Sequence, residues 1–121
     1  MIRILIADDH PVVRRGVRQT LAEEFAGCEV VEAQTAAELI SLVHSGIWSV
    51  VILDLSLPDR NGLDVLKELQ VDYPDLPVVI LSMHPEDQFA VRMMRAGASA
   101  YITKESASDE LAQAVRLAIA H

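Results

Sequence analysis

The chain has one cysteine, Cys28, so an internal disulfide is excluded, and its neighbours Gly27, Glu29, Val30 and Val31 suit a small half-buried side chain better than a reactive thiol. Basic residues are scarce. Ten Lys plus Arg stand against 18 Asp plus Glu, a formal charge of -8, which is the wrong sign for binding nucleic acid by counterion release. Apolar runs last only a few residues and no basic-then-apolar leader opens the chain, so neither a membrane span nor a secretory signal is expected. The expected location is cytoplasmic, with no membrane partner. Linkers, internal repeats and low-complexity stretches are also missing.

What remains is globular in composition, just over half hydrophobic and 23% charged over 121 residues, which suits one compact domain with one core. Five short segments rich in β-branched residues read as strands buried on both faces: Ile2 to Ala7, Glu29 to Ala33, Val50 to Leu53, Val78 to Leu81 and Ala100 to Thr103. Helical spacing fills the gaps, through Val13, Val17 and Leu21, then Leu39, Ile40 and Val43, then Leu63, Leu66 and Leu69, and finally Leu111, Val115 and Ile119. Glu86 to Ala96 is a helix with a blunter apolar face. Pro11 and Pro85 suit first helical turns, Thr35 and Ser108 can cap, and Gly46 and Gly97 follow helix ends. Strict alternation of five strands and five helices predicts an α/β flavodoxin-like (βα)5 fold, a doubly wound parallel sheet of order 2-1-3-4-5 in a single domain.

In such a sheet a ligand site forms at the carboxyl ends of the strands, beside the switch point. Asp8 and Asp9 stand there after the first strand, Asp54 after the third, Ser82 after the fourth and Lys104 after the fifth. Singly, Asp8 reads as a helix cap, Asp9 as a solvated acid, Asp54 as a turn residue, Lys104 as a solvated base and Ser82 as a loop hydroxyl. Together they read differently, because three crowded carboxylates raise one another's pKa unless a cation neutralises them. A hard divalent ion that keeps much of its water and takes only one or two carboxylates, Mg²⁺ above all, fits so sparse a set.

The segments Asp8-Asp9-His10-Pro11, Leu53 to Pro58 with Asn61-Gly62, Leu81-Ser82 and Tyr101 to Lys104 resemble the receiver domain of bacterial two-component response regulators. The likeness covers essentially the whole chain, 1–121. The opening Asp8 to Gly16 is similar to the NarL/FixJ (LuxR-type) subgroup. By that resemblance Asp54 is the phosphoacceptor, Asp9 a direct metal ligand with Asp54, and Asp8 an acidic partner acting through metal-bound water. The Ser56 main-chain carbonyl completes a site for Mg²⁺ or Mn²⁺. Ser82 is expected to hydrogen-bond the attached phosphoryl group and Lys104 to pair with one of its oxygens. Tyr101 resembles the aromatic switch residue that turns inward when Ser82 is drawn to the phosphate.

The implied function is a signalling switch and not an enzyme with turnover: a phosphoacceptor that catalyses its own phosphorylation and dephosphorylation. Phosphoryl transfer asks for in-line placement and for cations on the equatorial oxygens, which this set provides. The donor is expected to be a sensor histidine kinase. Ser56 and His84, two beyond Asp54 and Ser82, are expected to tune the phosphoryl lifetime. Output is expected through homodimerisation or release of a helix-turn-helix DNA-binding domain beyond His121, read from the fourth helix, fifth strand and fifth helix, or from helices one and five.

One departure from the family is Glu105 after Lys104, where a proline often fixes a cis bond. Rival readings are fewer. An aspartyl-phosphate hydrolase of the haloacid dehalogenase class needs an acid where Ser56 stands, and a nucleotide-binding module needs a Gly-rich phosphate loop where Asp8 to Pro11 stand. A receiver that signals without phosphorylation remains the third. His10, His44, His84 and His121 lie in separate segments without metal-ligand spacing, so a transition-metal site is not expected from them. Trp48 and the pair Met93 and Met94 are expected to pack, with one methionine left for a partner surface.

Overall fold

A computed structural model describes residues 1–83 and 88–120. His84, Pro85 and His121 lie outside them. The elements run β1 Arg3–Ala7, α1 Pro11–Glu24, β2 Glu29–Ala33, α2 Ala36–His44, β3 Val50–Asp54, α3 Gly62–Asp72, β4 Val78–Ser82, α4 Gln88–Arg95, β5 Ala100–Thr103, a 3-10 turn Lys104–Ser106, and α5 Ala107–Ala120. All strands are parallel, in the order β2-β1-β3-β4-β5. This is the doubly wound sheet that the alternation predicts.

The sheet splits one core into two layers because neighbouring side chains on a strand point to opposite faces. Ile4 and Ile6 of β1 face Val17 and Leu21 of α1 and Leu111 and Val115 of α5. Leu5 and Ala7 face the other way, toward Leu39 and Val43 of α2, Val65, Leu66 and Leu69 of α3, and Met93 of α4. The central strands β3 and β4 read Val-Val-Ile-Leu-Asp and Val-Val-Ile-Leu-Ser, and all ten residues are buried. Helices therefore cover both faces there, which is what a continuous apolar strand requires. The edge strand β2 instead carries Glu29 and Glu32, engaged by Arg3 at 3.0 Å and Arg18 at 2.8 Å. Charge on an edge discourages further strand pairing.

Both central strands run one residue past the expected ends. Asp54 pairs opposite Leu81, and Ser82 opposite Thr103, so each functional side chain is the last rung of a ladder and not a loop residue. The first strand starts at Arg3 and not at Ile2. Thr35 caps α2 through the Glu38 N–H at 3.1 Å. The side chain of Ser108, the second residue of α5, lies outside the described ones. Thr103 does the local capping, its Oγ1 accepting from the Ser106 N–H at 3.3 Å as the chain enters the 3-10 turn. Gly97 follows α4 at φ +110°, a conformation open to glycine. The peptide after Lys104 is trans.

Gly62 opens α3 against the start of the β3–α3 loop, and a Cβ there would lie 2.7 Å from the Leu55 Cα. Backbone cannot withdraw as a flexible side-chain tip does. Gly62→Ala is therefore expected to cost about 1–3 kcal/mol in urea unfolding. A loss under roughly 0.5 kcal/mol, within the ordinary range for surface substitutions, would show that the loop relaxes freely.

Candidate acidic cation and phosphoryl site

Four chain segments deliver side chains to the carboxyl edge of the sheet. Asp8 follows β1, its N–H donating to the Ala33 carbonyl at 3.0 Å and so continuing the β1–β2 ladder by one residue. Its side chain is 1% exposed, and that of Asp54 is equally buried. The Asp54 Oδ1 accepts the Ser56 N–H at 3.0 Å, which leaves Oδ2 facing the Lys104 Nζ at 3.1 Å. That ammonium lies 3.5 Å from the Asp8 Oδ2 and is itself 6% exposed. The Asp8 Oδ1 accepts the His10 N–H at 2.7 Å. Asp9 lies at the solvent side, and Asp8, Asp9, His10 and Asp54 each bring one ligand-type atom within 4.8 Å of the others.

Burial, reinforced by the Asp54 charge, holds the Asp8 carboxyl above its ordinary range despite the His10 N–H and the Lys104 ammonium, which pull it down. The Asp8 Oδ2 is buried with no hydrogen-bond partner. A buried carboxylate oxygen left in that state is costly, and a divalent cation with oxygen ligands relieves it. The donor set fits such an ion.

Of the residues expected from sequence, Asp8, Asp9, Asp54 and Lys104 converge. Ser82 ends the strand beside Asp54 and is fully buried. Tyr101 pairs opposite Ile80 and is already turned inward at 8% exposed, in the layer with Met93 and Ala98. Ser56 is exposed in the turn after β3, and His84 lies outside the described residues. Two participants were not anticipated. His10 puts its Nδ1 within 3.1 Å of Asp8, 3.0 Å of Asp9 and 3.6 Å of Asp54, a placement that the spacing between histidines does not announce. The usable signal was its adjacency to the acidic pair. Asp59, in the β3–α3 loop, accepts the N–H groups of Ala36 at 2.8 Å and Ala37 at 3.0 Å, anchoring that loop to the first turn of α2.

Residues 4–116 match the response regulator receiver domain family. The chain belongs to that family. Over 121 residues the receiver domain is 36% identical to the response regulator GacA of Pseudomonas protegens, a match covering 99% of this chain and 56% of GacA. It is 32% identical to UvrY of Escherichia coli K12, covering 96% of this chain and 53% of UvrY. A solved LuxR-family two-component response regulator from Aurantimonas sp. SI85-9A1 superposes with a TM-score of 0.88 at 37% identity, covering 98% of this chain and 84% of that one. These relatives support the NarL/FixJ subgroup. The chain spans about half the length of the curated relatives it matches.

The raised Asp8 carboxyl has a direct consequence for the receiver domain's stability. The folded state holds this proton more tightly than the unfolded chain, so ionisation destabilises the fold, fully above the folded pKa and not at all below the ordinary 3.8. Without divalent cations, Asp8→Asn is expected to raise the neutral-pH melting temperature by a few degrees, with the gain shrinking as pH falls toward 3.8. A lower melting temperature in calorimetry would contradict the cost of burying the Asp8 charge.

For Asp59 the sign is opposite. The Ala36 and Ala37 N–H groups hold its carboxyl below the usual 3.8, so its contribution is present above that value and is lost as pH falls through the lower folded one. Asp59→Asn is expected to be less stable than the parent above this range and equal to it in strong acid. A difference that does not change with pH would remove the charged carboxylate from the anchor.

Proposed function

We propose that this receiver domain is a phosphorylation-dependent switch in which Asp54 accepts a phosphoryl group from a phosphohistidine on a sensor kinase. The observation that carries the reading is the division of labour on one buried carboxylate. Its Oδ1 is occupied by the Ser56 N–H, while Oδ2 faces the cleft and Lys104. Oδ2 is thus the nucleophile, held at a fixed angle by the backbone bond on its partner oxygen.

Lys104, nearly enclosed and already at Oδ2, is placed to follow the charge from the carboxylate to a phosphoryl oxygen as the new O–P bond forms. Asp9 and Asp54, with Asp8 through water and the Ser56 carbonyl, would hold Mg²⁺ or Mn²⁺, which supplies charge neutralisation at the equatorial oxygens. Ser82, at the end of the adjacent strand, would donate its hydroxyl to the attached group. Its displacement and the inward packing of Tyr101 would favour one of two pre-existing arrangements. Hydrolysis resets the switch, with Ser56 and His84 tuning its lifetime. The domain supplies this catalysis for its own phosphorylation and dephosphorylation.

Output follows from surfaces and charge. α4 leaves Phe89, Val91 and Met94 at least partly exposed while Met93 packs inward, and α5 exposes Leu117. This face, or that of α1 and α5, would make the contact that changes on phosphorylation, through homodimerisation or release of a C-terminal helix-turn-helix domain that regulates transcription. DNA is reached only through that further domain, since the charge of -8 disfavours direct contact. The proposed setting is cytoplasmic. Among the described residues no helix is long and apolar enough to cross a membrane.

Acetyl phosphate with Mg²⁺ is expected to add one phosphoryl group by intact mass, and Asp54→Asn to remove that labelling. Wild-type labelling of Asp54→Asn would sink the assignment.

A further inference from the structure

His10 stands in the acidic site in a way that the phosphoryl chemistry does not use. Its Nδ1 lies 3.1 Å from the Asp8 Oδ1, 3.0 Å from the Asp9 Oδ1 and 3.1 Å from the Lys104 Nζ. No proton assignment satisfies all three. With a proton on Nδ1, the ring donates to a carboxylate but meets the ammonium donor to donor. Without one it accepts from Lys104 but sets its lone pair against two carboxylate oxygens.

The same distances suit ligands of one ion. Bonds of about 2.1 Å at right angles leave neighbouring donor atoms about 3.0 Å apart, and the two Nδ1-to-oxygen separations are 3.0 and 3.1 Å. The Asp54 Oδ2, at 3.6 Å, is a looser neighbour. A second feature lies on the other oxygen of the Asp8 carboxylate: this Oδ2 is buried without a hydrogen bond, its nearest cation being the Lys104 ammonium at 3.5 Å. The imidazole is half exposed, at 52%, so an ion can enter from solvent on its side.

We propose that His10 is a nitrogen ligand that extends the acidic cluster into a mixed nitrogen and oxygen site for late first-row divalent ions such as Ni²⁺, Cu²⁺ and Zn²⁺. This rests on the reading that Asp8, Asp9 and Asp54 hold a divalent cation. Mg²⁺ is hard, prefers oxygen and keeps its water, so it gains little from an imidazole. Later transition ions bind imidazole well and rank above Mn²⁺ in affinity. Asp8, Asp9 and Asp54 thus serve either class, while His10 separates them.

Calorimetry with NiCl₂ and with MgCl₂ on the wild type, His10→Ala and His10→Asn tests this. Ni²⁺ affinity is expected to fall at least about tenfold in both variants, as loss of a ligand nitrogen requires. Mg²⁺ affinity is expected to stay within about threefold, on the order of 0.7 kcal/mol, which also reports that each variant is folded. With one equivalent of CuCl₂, the electron paramagnetic spectrum of the wild type and of a His44→Ala control is expected to show nitrogen superhyperfine coupling that both His10 variants lose. Unchanged Ni²⁺ affinity with persistent nitrogen coupling in His10→Ala would overturn the proposal while Mg²⁺ binding keeps the acidic site intact. Failure of the wild type to bind either metal would overturn the acidic-site reading, and this proposal with it.

Discussion

Repulsion among Asp8, Asp9 and Asp54 is the constraint on which the rest of this domain turns. Two of the three carboxylates are buried to within 1% of full enclosure, and one ammonium, that of Lys104, is set between them. Burial first, and the Asp54 charge after it, keep the Asp8 carboxyl elevated, and its Oδ2 has no hydrogen bond, only the Lys104 ammonium 3.5 Å away. The fold tolerates this because the acids sit at strand ends, where the apolar layers stop and solvent is one side chain away at Asp9 and His10. Placed two residues earlier in β1 or β3, the same acids would take the places of Ile6 and Ile52 in the core, with no path to a cation.

The sheet supplies both that tolerance and the precision. β1 and β3 are neighbours, with Ala7 opposite Leu53, so the residues that follow, Asp8 and Asp54, emerge side by side. β4 sets Ser82 one strand further on, and β5 ends at Thr103, one residue before Lys104. Asp54 and Ser82 are therefore fixed by ladders whose register is locked by full burial on both faces, since a one-residue slip would move every apolar side chain to the wrong layer. The loop carrying Ser56 has no ladder of its own. It is held at one end by the close approach of Gly62 to Leu55 and at the middle by Asp59 on the first turn of α2.

The parts of this arrangement legible in sequence were those set by periodicity and by strand-end position. Runs such as Val78 to Leu81 admitted little but a buried strand, and alternation with helical segments then placed Asp8, Asp9, Asp54 and Lys104 on one edge. Periodicity says less about where a buried ladder stops, so the sequence puts Asp54 and Ser82 just after their strands although each is still the last paired residue. A 3-10 turn comes before α5, and Thr103 serves it, which no helical periodicity announces. Asp59 was illegible for a different reason. Its partners lie 22 and 23 residues away, and no local pattern in the β3–α3 loop points to them. The place of His10 was not legible from histidine-to-histidine spacing, because the groups its ring meets are carboxylates.

The burial pattern also limits how a change at Asp54 travels. β3 and β4 are buried at every residue, and close-packed interiors pass between discrete arrangements more readily than they deform continuously. A signal therefore leaves through side chains and loops at the strand ends, not through distortion of the central strands. β5 is the next strand out, its Tyr101 and Ile102 buried while Ala100 and Thr103 at its ends are only partly so. α4 packs on the same layer by Met93 while Val91 and Met94 face outward. An element that, among its described residues, is held to the core by Met93 with only Ala90 partly buried beside it, and that exposes an apolar face, can shift at small cost to the core and large effect on a partner. On the proposed reading, the crowding that makes Asp54 reactive and the sparse anchoring of α4 are two halves of one device, the first storing unfavourable charge and the second converting its relief into a changed surface.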